Sequence, residues 1–314
     1  MVCGEGVKAI EALLKESGFA VSQVCHSRPS CFDFAARKGE ELILIRVQPD
    51  VDNLSPGDSS ELRDISRSIS ATSLLISQKA REKPLEEDTV YSRYNVSAVT
   101  LKTFEDIVSS KVYPLIQAGR GGYYVEIDGP AIKHRRQKLG LSVGKIAEMS
   151  AMSRRTIYGY ERGMAKASVT AAYNLMCTLG IPVARPVNVF ERLDRQCRCP
   201  FLMTARRVIA KNRLLMKILQ KFDLSGITTV RKAPFDFVIT VPEDGMRIIG
   251  GIASNGESNL DMRVDEILSL SRVVQAHPIL VTDGREPSNL GIPCIQSEEL
   301  SNAKNPQDLI SSIT

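Results

Sequence analysis

The stretch from Gly129 to Gly180 constrains the fold of this chain most strongly, because it contains four short helical patterns separated by tight turns. Ser142 and Ser153 precede the second and third patterns and can cap them, since a serine side chain accepts a hydrogen bond from the first turn of a helix. Helices this short are stable only when their apolar faces pack on one another. The stretch therefore predicts a small all-α bundle, and its second and third helices have helix-turn-helix spacing.

The same stretch matches the spaced residue pattern of a known family. The matching positions are Arg136, Leu139, Gly140, Leu141, Ser142, Ile146, Ala147, Ser153, Thr156, Ile157, Tyr160, Glu161 and Gly163. The stretch resembles the Cro/C1 type of helix-turn-helix, also called the xenobiotic-response-element family. The resemblance implies a DNA-binding module over residues 129–183, whose third helix, Ser153 to Glu161, enters the major groove of double-stranded DNA.

The resemblance also implies a role for individual residues. Arg154 and Arg155 hold base-reading positions, and arginine favours O6 and N7 of guanine. Gly159 holds another reading position but has no side chain. Val143 stands where the family often has a phosphate-binding glutamine, so that contact is not carried over. Contacts to DNA phosphates are implied for Ser142, Lys145, Ser153, Thr156, Tyr158, Arg162 and Lys166, with Thr156 either facing phosphate or packing in the bundle.

An ion pair inside the module is implied as well. The family's pair maps onto Arg136 in the first helix and Glu161 at the end of the third. Such a pair would tie these two helices together. If it is shielded from water, loss of either partner leaves the other charge buried and unpaired, which is strongly destabilising.

Charge is concentrated in the middle of the chain. From Gly129 to Lys217 there are 18 Lys and Arg against 4 Asp and Glu, a net charge of +14; the whole chain carries +5, so the remainder carries −9. A basic segment between acidic flanks is typical of one nucleic-acid-binding module. The irregular basic segment over residues 184–213 either lies along DNA phosphates or is a solvated linker.

Helix and strand patterns alternate on both sides of this module, which indicates small α/β domains. The second flank repeats the plan of the first. Phe235 to Phe237 echoes Phe32 to Phe34, and the strand pattern at 279–282 follows that at 74–77 by 205 positions. The helix residues Leu62, Ile65 and Ile69 recur at the same distance as Ile267, Leu270 and Val274.

The predicted fold class is therefore α/β plus all-α, with a central Cro/C1-type bundle between two related α/β domains. The predicted divisions are an α/β domain over 1–117, a linker with a short strand over 118–128, the helix-turn-helix over 129–183, a basic connector over 184–213, and a second α/β domain over 214–314.

The order of elements in the flanks resembles the restriction-endonuclease and archaeal Holliday-junction-resolvase fold. Those nucleases need an Asp followed by Glu-x-Lys, in which the acids hold a divalent metal. Asp33 occupies the first place, but Leu44 to Arg46 replaces Glu-x-Lys, and Asp236 in the second flank also lacks the motif. We therefore expect no catalytic residues and no enzyme activity. The alternative is a nuclease guided by the helix-turn-helix.

Other classes of site are not indicated by the sequence. The seven cysteines lack the spacing of a disulfide framework, and Cys197 and Cys199 have no second Cys or His pair nearby, so we expect no metal. No phosphate-binding loop or other cofactor motif occurs. No apolar run reaches the roughly 18 residues that a membrane helix needs, and no signal peptide opens the chain, so we expect a cytoplasmic protein.

Over its whole length the chain resembles archaeal helix-turn-helix transcriptional regulators, which carry a Cro/C1-type module centrally in a chain of about this size. The resemblance implies a sequence-specific regulator of transcription. We also expect a homodimer, because one helix-turn-helix contacts few bases and useful affinity normally needs two half-sites about one helical turn apart. The α/β flanks would supply the surface for that pairing.

Overall fold

The computed structural model describes residues 3–191, 227–240, 245–253, 257–282 and 291–296. Its helices are α1 (Cys3–Glu16), α2 (Pro56–Ser68), α3 (Leu101–Ser110), α4 (Gly129–Lys138), α5 (Val143–Met149), α6 (Arg154–Glu161), α7 (Val169–Leu179) and α8 (Leu260–Val274), with a 3-10 turn at Val51–Asn53. Its strands are β1 (Ala20–Val21), β2 (Phe34–Lys38), β3 (Glu41–Val47), β4 (Thr72–Ile76), β5 (Lys79–Ala80), β6 (Lys83–Pro84), β7 (Thr89–Arg93), β8 (Val96–Val99), β9 (Ile116–Gly119), β10 (Gly122–Val125), β11 (Ala167–Ser168), β12 (Ile227–Thr229), β13 (Phe237–Thr240), β14 (Arg247–Ile252), β15 (His277–Thr282) and β16 (Cys294–Gln296).

The chain divides into two compact units, each built from segments that are distant in sequence. The first unit comprises residues 1–48, 53–75 and 190–314, and the second comprises residues 49–52 and 76–189. The mixture of α/β elements with a helix-turn-helix bundle is as predicted. The divisions predicted at 117, 128, 183 and 213 stay predictions.

The first unit contains the neighbouring strands β1-β2-β3-β4 and a five-stranded sheet of order β12-β13-β14-β15-β16. In both sets an antiparallel pair lies at the same place, with Phe34 opposite Ile45 in β2–β3 and Phe237 opposite Gly250 in β13–β14. The glycine is required there, because a Cβ on Gly250 would lie 1.9 Å from Cζ of Phe237. The apolar run from Glu41 to Val47 predicts a buried strand, and β3 has these bounds, with its apolar residues buried as expected for a strand covered on both faces.

The second unit contains the strands β8-β7-β9-β10-β11, helix α3 and the bundle α4–α7. Strand β7 had no counterpart among the predicted elements. Lys79 to Glu87, predicted as a polar loop, contains the short pair β5–β6, which turns at Arg81 with a positive φ of 57°. Short polar strands such as these carry no apolar alternation, so periodicity does not identify them.

The linker with one short strand over 118–128 stays a prediction as a division of the chain, and the structure describes two strands at this place. Strands β9 and β10 form a hairpin, in which Tyr123 is opposite Ala118. Gly121 and Gly122 turn the chain with φ of 88° and 146°, conformations that glycine adopts without steric cost. The two glycines therefore mark the tip of a hairpin rather than a flexible joint.

Within the described part of the chain, no helix is long and apolar enough to cross a membrane. Three predicted features fall wholly or largely outside the described residues. They are the basic connector at 184–213, the helix pattern at 214–222 and the last helical turn at 309–313.

Candidate nucleic-acid interface

Side-chain caps fix where the helices of the bundle begin. The hydroxyl of Ser142 accepts a hydrogen bond of 3.1 Å from the backbone N–H of Lys145, at the start of α5. The hydroxyl of Ser153 accepts one of 3.0 Å from the N–H of Thr156, at the start of α6. These bonds satisfy donors that have no partner inside a helix, so the two serines predicted as phosphate contacts also define the ends of the helices.

The turn between α5 and α6 is held by backbone bonds and one buried hydroxyl. The N–H of Met152 donates to the carbonyl of Ala147 over 2.8 Å, and the hydroxyl of Ser150 donates to the carbonyl of Ile146 over 2.7 Å. Ala151 takes a left-handed conformation with a φ of 55°. Sequence reasoning did not single out Ala151, because a non-glycine residue in this conformation carries no clear sequence signal.

A contiguous apolar core fixes the orientation of α6. Ile157 and Tyr160, two of the positions that match the family pattern, are buried in it. Val143 is half-buried and packs against this core. The side chain that stands in place of the family's glutamine thus stabilises the bundle. The buried members of the core are Val125, Ile127, Ile132, Ile146, Ala147, Ile157, Tyr160, Ala167, Ala172, Leu175, Leu179 and Val183.

Arg136 and Glu161 lie together as a two-bond pair. Nε of Arg136 donates to one carboxylate oxygen of Glu161 over 2.6 Å, and Nη2 donates to the other over 3.1 Å. Nη1 also donates to the carbonyl of Leu141 over 3.2 Å. Only 14% of the arginine side chain and 6% of the glutamate side chain are exposed. The hydrogen bond to Glu161 raises the pKa of the Arg136 guanidinium above its usual value, so the guanidinium keeps its positive charge.

A glycine allows α4 to approach the end of α6 closely. A Cβ added to Gly129 would lie 2.3 Å from the carbonyl oxygen of Tyr160 and 2.7 Å from that of Glu161. No side chain fits between these backbones. Sequence reasoning used Gly129 as the edge of the module and did not assign it this role, which depends on a tertiary contact.

The first turn of α6 presents its arginines at the surface. Arg154 and Arg155 are exposed, and so is Tyr158 one turn later. The guanidinium of Arg154 lies over the first turn of α5, where a Cβ on Gly144 would be 3.0 Å from its Nε. At Gly159, an added Cβ would meet no atom of the described chain within 4 Å. The exposed surface of α6 is therefore basic at its start and has open space at Gly159.

Three further predicted phosphate contacts are Arg162, Lys145 and Thr156. Nη2 of Arg162 donates to the Tyr158 hydroxyl over 2.7 Å, and its guanidinium lies 4.2 Å from the centre of the Tyr158 ring. The ring thus holds the cation at the surface. Nζ of Lys145 lies 3.1 Å from Glu148 on the same helix, and both side chains are exposed. Thr156 is half-buried, and its hydroxyl lies 2.8 Å from that of Ser153.

Lys166 follows α6 and contacts the hairpin β9–β10 region. Its Nζ lies 3.0 Å from a carboxylate oxygen of Glu126 and also donates to the side chain of Gln117. The hydrogen bond from Lys166 holds the pKa of Glu126 below its usual range. The structure thus places this predicted phosphate contact in a half-exposed ion pair.

The two aspartates at the nuclease-like positions of the first unit are paired with arginines. Nη1 of Arg46 lies 2.9 Å from the Asp33 carboxylate, whose other oxygen accepts from the N–H of Val47 over 2.6 Å. Asp236 accepts from Arg28 over 2.8 Å and from the fully buried Arg263. Within the described residues, no group of three or more His, Cys, Asp or Glu side chains could hold a metal ion.

Two family models match parts of the chain. Residues 5–114 match a PD-(D/E)XK superfamily domain. Residues 132–185 match a helix-turn-helix family. This match covers α4 from Ile132 onward and the whole of α5, α6 and α7. Both agree with the resemblances seen in the sequence.

Relatives that match over nearly the whole length come from archaea, and each bears the name "Putative HTH-type transcriptional regulatory protein". The protein from Methanocaldococcus jannaschii is 31% identical, over 96% of this chain and 93% of its own. The protein from Methanocella arvoryzae is 32% identical, over 95% of this chain and 92% of its own. The protein from Archaeoglobus fulgidus is 28% identical, over 97% of this chain and 96% of its own. The chain belongs to this archaeal family of HTH-type transcriptional regulatory proteins.

Proposed function

We propose that the protein is a sequence-specific, DNA-binding regulator of transcription, and that α6 reads the major groove. The observation that carries this proposal is the geometry of α6, which is capped by Ser153, anchored by Ile157 and Tyr160, and basic where it begins. The first turn of a recognition helix is the part that reaches base edges. The name shared by its archaeal relatives supports the same function.

In this proposal Arg154 and Arg155 contact bases, and the surrounding hydroxyl and basic groups contact phosphates. The N-terminal ends of α5 and α6 add backbone N–H groups, which favour anions. The bare surface at Gly159 lets the helix backbone approach the floor of the groove. The proposed phosphate contacts are Ser142, Lys145, Ser153, Thr156, Tyr158, Arg162 and Lys166. The protein would act as a homodimer on two half-sites, in the cytoplasm where the DNA is.

The pair formed by Lys166 and Glu126 gives a test of the phosphate contacts. Lys166→Ala should weaken binding to all duplexes about equally and reduce the slope of log affinity against log salt by about one unit. Glu126→Gln should instead strengthen binding to all duplexes and increase this slope, because it removes a carboxylate that competes with phosphate for the same ammonium group. Fluorescence anisotropy over a salt series measures both slopes. If both variants leave the slope unchanged, Lys166 does not contact DNA.

We further propose that the two flanks are related α/β domains. Support comes from Asp33 and Asp236, which immediately precede strands β2 and β13. The N–H of Asp33 donates to Ile45, and that of Asp236 donates to Gly250, each over 2.8 Å. Each carboxylate then accepts from a backbone N–H two residues further along the partner strand, over 2.6 Å.

We also propose that these flanks do not cleave DNA, since arginines pair with Asp33 and Asp236, the carboxylates that would have to hold a metal. Nuclease activity is the second candidate function, and the match of residues 5–114 to a PD-(D/E)XK domain favours it. Incubation with magnesium and linear or branched DNA separates the two. We expect no cleavage above a no-protein control. Cleavage that disappears in Asp33→Asn, with DNA binding retained, would establish the nuclease instead.

A further inference from the structure

Helix α8 of the second flank makes specific hydrogen bonds to the first flank. One carboxylate oxygen of Glu266 accepts from the backbone N–H groups of His26 and Ser27, over 2.7 and 2.8 Å. The other accepts from the Ser27 hydroxyl over 2.5 Å. One turn later, the hydroxyl of Ser269 accepts from the N–H of Gln23 over 2.9 Å. Glu266 is buried, so these bonds satisfy a carboxylate that has little access to water.

Helix α2 of the first flank makes the reverse contact. A carboxylate oxygen of Glu61 accepts from the backbone N–H groups of Arg231 and Lys232, the latter over 2.6 Å. The ammonium group of Lys232 pairs with Asp58, one turn earlier on the same helix. A glutamate near the middle of each flank's helix therefore caps two consecutive backbone N–H groups of the other flank.

The two contacts are related by a fixed distance in the sequence. Three residues of one contact have counterparts 205 positions later in the other: Glu61 and Glu266, His26 and Arg231, and Ser27 and Lys232. This is the spacing at which the helix and strand patterns recur. Both contacts consist of a glutamate carboxylate and two backbone N–H groups, and the side chains of the capped residues differ between them.

The residues that follow these two helices also make hydrogen bonds to the opposite flank. Ser70 and Gln275, also 205 apart, follow α2 and α8 in left-handed conformations with φ of 55° and 60°. Arg247 of the second flank donates to the Ser70 hydroxyl over 2.8 Å, and Arg37 of the first donates to the Gln275 side chain over 2.6 Å. These arginines are not equivalent in sequence, since they lie 210 positions apart rather than 205. In addition, α8 packs on β2 and α2 packs on β12 and β13.

We infer that the two flanks associate about an internal twofold pseudo-axis, so that, within the first unit, residues 20–48 and 53–75 have the described residues of the second flank in the same chain as their interaction partner. Reciprocal contact of one surface with its own copy is the arrangement of a symmetric homodimer. Here one chain supplies both copies. The surfaces with which α2 and α8 contact the opposite flank are filled within the chain, and the proposed pairing of two chains on DNA uses another surface. This inference does not depend on DNA binding.

Amide hydrogen exchange of the full-length protein tests the reciprocity. Glu266→Ala should accelerate exchange at residues 26 and 27 by about tenfold or more, because two N–H groups lose a charged acceptor. Glu61→Ala should do the same at residues 231 and 232. Glu266→Gln retains an acceptor oxygen and should restore most of the protection. Asp64→Ala is the matched control, since this α2 carboxylate pairs with Arg67 in its own helix.

The outcomes separate the inference from its rivals. Local acceleration in the opposite flank, in both directions and absent from Asp64→Ala, supports the internal pair. Unchanged exchange at residues 26 and 27 in Glu266→Ala, or at 231 and 232 in Glu61→Ala, overturns it. The wild-type measurement is repeated at protein concentrations about 100-fold apart, because a contact between chains follows mass action. Protection that is lost on dilution would show that the partner is another chain and would also overturn the inference.

Discussion

Arg154→Ala or Arg155→Ala is expected to remove most of the protein's preference for its operator. An arginine that makes two parallel hydrogen bonds to guanine contributes about 1–3 kcal/mol of discrimination, so each variant should bind the operator about 5- to 150-fold more weakly. Both side chains are exposed at the start of α6, which begins with a defined serine cap. Affinity for a random duplex should fall far less, because it depends on phosphate contacts. Titration of one operator and one random duplex at fixed salt measures both.

Arg162→Ala is the matched control for this prediction. It removes the same charge from the other end of the helix, where the guanidinium is stacked on the Tyr158 ring. We expect it to weaken both duplexes by a similar factor. If Arg154→Ala and Arg155→Ala also lose the same factor on both duplexes, these arginines contact phosphates and α6 does not read the sequence.

Glu161→Ala is expected to destabilise the bundle by about 3–5 kcal/mol, since it leaves the guanidinium of Arg136 shielded from water without its carboxylate partner. Arg136→Met with Glu161→Leu should recover most of this loss, because apolar residues of similar volume avoid the buried charge. Denaturant unfolding, monitored at bundle amides by NMR, measures the change without assuming that the whole chain unfolds in one step.

A second carboxylate provides the control for this stability change. Glu148 pairs with Lys145 at the surface of α5, and both side chains are exposed. Glu148→Ala should therefore change the stability of the bundle by less than about 0.5 kcal/mol. Equal effects of Glu148→Ala and Glu161→Ala on unfolding would show that the shielding of the Arg136 pair from water contributes nothing to the stability of the bundle.

Much of the bundle could be predicted because the local sequence preferences of its helices and their packing favour the same structure. The caps at Ser142 and Ser153 and the buried faces of α6 and α7 follow from residue type and helical period, which depend on neighbours in sequence. The resemblance supplied the partner of Arg136, which no periodicity could have identified. In the flanks, the long apolar run of β3 was sufficient to give its bounds.

Other features depend on contacts between distant segments and had no local signal. Gly129 is needed because two backbones meet, and Gly144 makes room for the Arg154 guanidinium. Lys166 was predicted to face phosphate, but the ion pair with Glu126 arises only when β10 and the end of α6 come together. The hydrogen bonds that Glu61 and Glu266 accept from the opposite flank likewise had no local signal, although the 205-residue spacing of the patterns was visible in the sequence.

Selection of bound sequences from a pool of random duplexes tests the proposed function most directly. The account predicts that the wild-type protein enriches one motif containing guanines, and that the Arg154→Ala, Arg155→Ala double variant still binds DNA at low salt but enriches no motif. The double variant is compared at equal bound fraction, so that weaker binding alone cannot explain the difference. Failure of the wild-type protein to enrich any motif, or enrichment of the same motif by the double variant, would contradict the assignment of α6 as the reading helix.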